Sequence, residues 1–155
     1  MAIQTPLLEL VPFWMPPTAR LAIIAGAQYI VSPAFDADTA ELCNLYQIPY
    51  LAGCMTITEI TRAMRAGVDI VKLFPGSQAG AGAGTVKAIK APLPQANIMP
   101  TGGVNLENMK DWFAAGVVAV GAGGGMVGPA DHDDYDQVTK NAAAYIAELK
   151  DIRSK

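Results

Sequence analysis

Apolar and polar positions along this chain follow a repeating order. A short apolar run is followed by a turn, then by a stretch with apolar residues three and four apart. The first helical stretch covers 18–25 and stops at Gly26. Residues 28–32 (QYIVS) read as a short strand closed by Pro33, and Asp36 caps a helix to about Tyr46. The run 50–54 is the next strand. Thr56-Ile57-Thr58-Glu59 carries the hydroxyl and carboxylate of a capping box, and its helix ends at Gly67. A strand follows over 69–74, then a glycine-rich loop over 76–84 leading into a helix near 85–90. Residues 97–100 form a strand, and Asn105 caps a helix through Ala115. Residues 117–120 predict a fifth strand, and a last helix spans about 135–149. Five strands, each followed by a helix, imply a parallel sheet, either open or closed into a barrel. A complete (β/α)₈ barrel takes at least ~200 residues. The 155 residues here therefore predict an α/β domain short of a full barrel.

Composition agrees with a buried sheet. The chain is 52% hydrophobic and only 16% charged, which excludes disorder and suits one sizeable core. No uninterrupted run of 18 apolar residues exists, so no membrane span is expected. A net charge of −3 and a pI near 5.0 argue against a nucleic-acid surface. Cys43 and Cys54 sit in apolar surroundings without metal-type spacing. They read as structural thiols of a reducing, cytoplasmic compartment.

Chemistry concentrates at the strand ends. Lys72 lies inside the apolar run Val68-Asp69-Ile70-Val71-Lys72-Leu73-Phe74-Pro75. Stripping water from an ammonium is costly, so a buried lysine favours its neutral form. A neutral amine can condense with a ketone to a Schiff base. The alternative is a lysine that snorkels from a strand end to water. Ligands in α/β sheets bind at the carboxyl ends of the strands. Those tips carry Ser32-Pro33, Gly53-Cys54, Lys72 to Phe74, Pro100 to Gly103, and Gly121 to Gly125. Glycine turns ahead of helices present N–H groups to anions, although glycines also serve simply to close a βα turn. Other candidates are weaker. His132 lies in the acidic run 131–134 and reads as a solvated loop residue. Trp112 and Phe113 read as core or interface residues, and Glu59 and Glu107 as parts of helix starts.

The segments QYIVSP, ITEITRAMRAGVDIVKLFPG, KAIKAPLPQANIMPTGGVNLEN and AGVVAVGAGG together resemble the 2-dehydro-3-deoxy-6-phosphogluconate aldolases and their phosphogalactonate relatives. The resemblance covers about Pro17 to about Val127, and the pairing of VKLFP with PTGGV is specific. It implies a class I aldolase on a (β/α)₈ TIM barrel, usually a homotrimer, that needs no cofactor and no metal. The implied substrate is a small phosphorylated 2-keto acid, cleaved to pyruvate and glyceraldehyde 3-phosphate. On the matching positions, Lys72 forms the Schiff base, and Pro33 and Phe74 line the pyruvate pocket. The turn Thr101-Gly102-Gly103 helps hold carboxylate or phosphate, and Gly123, Gly124 and Gly125 form the phosphate turn. The family usually carries a serine or threonine in that last turn, where this chain has Gly124 and Gly125.

The resemblance further implies an incomplete barrel lacking its first two βα units and a proper third strand, with a partial aldolase domain over 17–155. The missing units include an E-x-x-x-R pair that shuttles protons and binds substrate. Residues 1–16 do not match the family. Phe13-Trp14-Met15-Pro16 must be encoded TTY-TGG-ATG-CCN, which one frame over reads Leu-Asp-Ala, part of the family's GAGTVLD strand. That predicts an out-of-frame segment. The rival expectation is a catalytically inactive phosphate-binding or scaffolding chain.

Overall fold

The computed structural model describes residues 15–154. The expected out-of-frame segment lies, but for Met15 and Pro16, outside the described residues. The chain divides into two compact units, Met1–Phe74 and Pro75–Lys155.

The first unit alternates helix and strand as its sequence pattern requires. Helix α1 (Pro16–Ile24) starts two residues earlier than predicted, with proline in its first turn, where no N–H is needed. It buries Ala19 and Ala22 and packs on α2. Strand β1 is reduced to Ile30–Val31, because Pro33 closes the run and Gln28 lies exposed ahead of it. Helix α2 (Ala37–Tyr46) is capped by Asp36, whose carboxylate accepts from the Thr39 N–H at 2.7 Å. It ends at Gln47 in the left-handed region, with φ at 55°. Strand β2 (Tyr50–Cys54) matches the prediction.

Helix α3 (Ile57–Arg65) begins with the anticipated capping box. Strand β3 is Ile70–Leu73. All pairing is parallel, with β2 between β1 and β3. The register places Val31 beside Leu51, Leu51 beside Ile70 and Gly53 beside Lys72. Side chains alternate across a strand, so Val31, Leu51, Gly53, Ile70 and Lys72 share one face of the sheet. Ile30, Tyr50, Ala52, Cys54, Val71 and Leu73 share the other and are all buried.

In the second unit a 3₁₀ turn (Gly76–Ala79) precedes α4 (Ala83–Lys90), and β4 is Ile98–Pro100. Helix α5 (Met109–Ala114) starts three residues later than predicted, its cap at Asn108 and not Asn105. Asn105 does cap, but it caps a turn: its Oδ1 accepts from the N–H of Glu107 and of Asn108, both at 3.0 Å. Trp112 is buried as expected. The predicted fifth strand at 117–120 does not form. The segment starts a ladder beside β4, with the Val118 N–H bonding Ile98 O at 3.1 Å. The next rung of a parallel ladder would be donated by residue 100, which is proline and has no N–H. Pairing resumes only at the Thr101–Gly121 bridge, with the Gly121 N–H on Pro100 O at 2.8 Å. Two short turns, α6 (Gly124–Val127) and a 3₁₀ turn (Gly128–His132), lead into α7 (Tyr135–Arg153).

Candidate active site

Lys72 is 3% exposed, so snorkelling to bulk water is ruled out. Its Nζ lies 4.5 Å from the centroid of the Phe74 ring. Both follow from β3, since residues two apart on a strand project to one side. The neighbouring position on β2 is Gly53, which has no side chain. A Cβ built there would run into the Pro33 carbonyl. The absence of a side chain lets the chain leaving β1 fold directly over Gly53, beside the lysine's place in the register. The first unit thus brings Pro33, Gly53, Lys72 and Phe74 together, three of them expected from sequence.

The turn carrying Pro33 is fastened by a buried hydroxyl pair. Ser32 Oγ donates to Ala34 O at 2.5 Å and lies 2.7 Å from Tyr50 Oη, which accepts from the Asp36 N–H at 3.3 Å. Burial pushes the Tyr50 phenol up, against the lowering effect of the Ser32 and Asp36 hydrogen bonds. Burial raises the Cys43 thiol to about 11 and, with Glu59 charge adding, Cys54 to about 12. Neither thiol is a thiolate at neutral pH, in keeping with a structural role.

In the second unit, Gly102 and Gly103 have φ of 94° and 79°, two successive left-handed positions that need glycine. Gly102 O accepts from both the N–H (2.9 Å) and Oγ (3.1 Å) of Ser77. Gly103 O accepts from Asn108 Nδ2 at 2.9 Å. Thr101 Oγ1 is buried without a hydrogen-bond partner among the described residues, and it presses on Gly121. Gly123, Gly124 and Gly125 are exposed and open α6. His132 is exposed, and no cluster of metal-ligating side chains occurs among the described residues. Ser77, Asn108, Gly53 and Tyr50 are not marked as site residues by the sequence. Their partners lie up to 25 residues away, and no local pattern singles them out.

The family model for KDPG and KHG aldolases matches residues 16–141. The chain belongs to this aldolase family. A 2-dehydro-3-deoxy-phosphogluconate aldolase of Treponema pallidum is 36% identical over 124 residues, covering 78% of this chain and 58% of that protein. The aldolase chain thus spans a little over half the length of that curated relative. Among solved structures, native KDPGal superposes with a TM-score of 0.83 at 27% identity, covering 92% of this chain and 68% of the other. The KDPG aldolase of Legionella pneumophila gives a TM-score of 0.74 at 26% identity, covering 81% and 62%. That enzyme was captured with pyruvate as a covalent carbinolamine.

Proposed function

We propose that this chain carries the Schiff-base machinery of an aldolase acting on a small phosphorylated 2-keto acid, the 6-phosphogluconate or 6-phosphogalactonate derivative. The single observation behind this reading is Lys72, a buried amine on a parallel strand under an aromatic ring. Desolvation favours the uncharged amine. The Nζ lone pair attacks the keto carbon. The resulting carbinolamine loses water to give an iminium, and this cation accepts the electron pair released when the carbon–carbon bond breaks. Release of the aldehyde leaves an enamine, which takes up a proton and is hydrolysed to pyruvate and the free lysine.

Phe74 shields the amine from water, and Pro33 with Gly53 forms an apolar and main-chain wall beside it. Thr101 Oγ1, with no partner of its own, suits an oxyanion of substrate, and Gly102 and Gly103 hold it in place. The turn Gly123–Gly125 takes the phosphate. The (β/α)₈ arrangement and the trimer belong to this proposal as well.

Borohydride reduction in the presence of pyruvate tests it. A stable adduct mapped by peptide mass spectrometry to Lys72, and absent from Lys72→Met, is the expected result. A folded chain that binds phosphate esters but gives no adduct would establish the scaffolding alternative instead.

A further inference from the structure

The turn between β1 and α2 is tied down from the side of the sheet away from the amine. Tyr50 opens β2 and is only 6% exposed. It lies three residues before Gly53, the register neighbour of Lys72, so it projects to the opposite face. Its side chain therefore has no access to the reacting atoms. Register sets what it does reach. Ile30 pairs with Tyr50, so the turn begins two residues further along β1, about 6.6 Å away at ~3.3 Å per residue. The long, rigid side chain of a tyrosine spans that distance and delivers a hydroxyl to the turn.

That hydroxyl enters a chain of hydrogen bonds. The Asp36 N–H donates to Tyr50 Oη at 3.3 Å, Tyr50 Oη lies 2.7 Å from Ser32 Oγ, and Ser32 Oγ donates to Ala34 O at 2.5 Å. With the Ser32 proton on Ala34 O, the Tyr50 proton goes to Ser32 Oγ, and Ala34 O at 3.2 Å is its second acceptor. Hydrogen bonds linked in this way polarise and strengthen one another. Burial pushes the phenol up, so its proton is present throughout the neutral range. The chain starts at Ser32, whose N–H bonds Leu51 O at 3.2 Å, and ends at Asp36, whose carboxylate caps α2. Both ends are thus anchored, and Pro33 sits between them with its carbonyl in the space that a side chain at Gly53 would take. A phenylalanine would fill the same volume as Tyr50. What the hydroxyl adds is the tie.

We propose that Tyr50 is a positioning residue for the carbonyl chemistry at Lys72: its hydroxyl holds the turn 32–36 so that Pro33 stays fixed beside the amine. The inference rests on the Schiff-base reading above and extends it to a residue on the far face of the sheet. Without the hydroxyl, the Asp36 N–H loses its acceptor and Ser32 Oγ loses its donor. The turn then moves without acquiring a new shape. A wall that moves grips the keto acid less well, and the loss is felt in binding.

The test is cyanoborohydride trapping on the full chain, with the initial rate followed against pyruvate concentration. Condensation of the Lys72 amine with the ketone expels water, and hydride from the reagent fixes the iminium as a secondary amine. Tyr50→Phe, which keeps the ring, should raise the half-saturating pyruvate concentration about tenfold, short of the ~100-fold that a misplacement of about 1 Å can cost. Ser32→Ala removes the middle link and should raise it in the same direction. The double variant should go no further than the larger single effect, because the two hydroxyls act as one unit. Thr56→Ala weakens the first unit at the α3 cap and should leave the half-saturating concentration unchanged. A hydroxyl that served folding alone would reduce the amount of trappable chain in Tyr50→Phe but not its concentration dependence, since only folded chains are trapped. That result would overturn the inference, as would a rise confined to Ser32→Ala. Should Tyr50→Phe give no folded chain, Ser32→Ala decides: a raised half-saturating concentration supports the inference and an unchanged one overturns it. No adduct on the unaltered chain overturns the aldolase reading and this inference with it. An adduct on the unaltered chain, with unchanged half-saturation in the variants, overturns the inference alone.

Discussion

At the scale of single residues, the Lys72 amine is buried with its Nζ 4.5 Å from the centroid of the Phe74 ring. In the proposed reaction that ring keeps water from the amine. For Phe74→Ala we therefore expect slower pyruvate trapping at pH 7. A trapping rate equal to that of the unaltered chain would show that the ring does not shield the amine. The lysine and its phenylalanine are legible in the sequence because a charge within an apolar run conflicts with its surroundings.

Among the elements, α3 shows most directly how sequence sets local structure. Thr56 Oγ1 accepts from the Glu59 N–H at 3.3 Å, while Glu59 Oε2 accepts from the N–H groups of Met55 and Thr56, both at 2.8 Å. Thr56→Ala should cost about 1 kcal/mol, read as a lower urea midpoint. An unmoved midpoint would mean the cap contributes nothing. The Met55 and Thr56 N–H groups hold the Glu59 carboxyl below its ordinary value of 4.5. A depressed carboxylate pKa stabilises the fold above the unfolded value, and that contribution is lost as the pH falls through the folded one. Wild type should therefore be the more stable at neutral pH, and it should converge with Glu59→Gln in acid. A stability gap that persists in acid would show that the charge is not what matters. Caps and strand runs of this sort are local, and most are readable. The fifth strand fails for a non-local reason: its hydrophobic pattern is sound, but its neighbour presents Pro100 where a donor is required. The late start of α5 has a similar origin, since Asn105 and Asn108 bind the turn between them before any helix begins.

For the molecule as a whole, the two units differ in what can report on them. Cys43 and Cys54 both lie in the first, at 0% and 2% exposure. Buried and held protonated, they should resist iodoacetamide in native buffer and react only as denaturant opens that unit. Fast alkylation without denaturant would contradict the packing described. The alternation of strand and helix is accessible from periodicity alone, but the relation of Gly53 to Pro33 is not. It depends on two main chains meeting across the sheet.

That meeting constrains how the protein can change. Atoms of the polypeptide backbone are common to every residue type, so a boundary built from them cannot be reshaped by ordinary substitutions. Any replacement at position 53 collides with its neighbour before it can offer a new preference. Selection for altered carbonyl partners, in nature or in the laboratory, is therefore channelled away from that side of the amine and towards the aromatic lid at position 74.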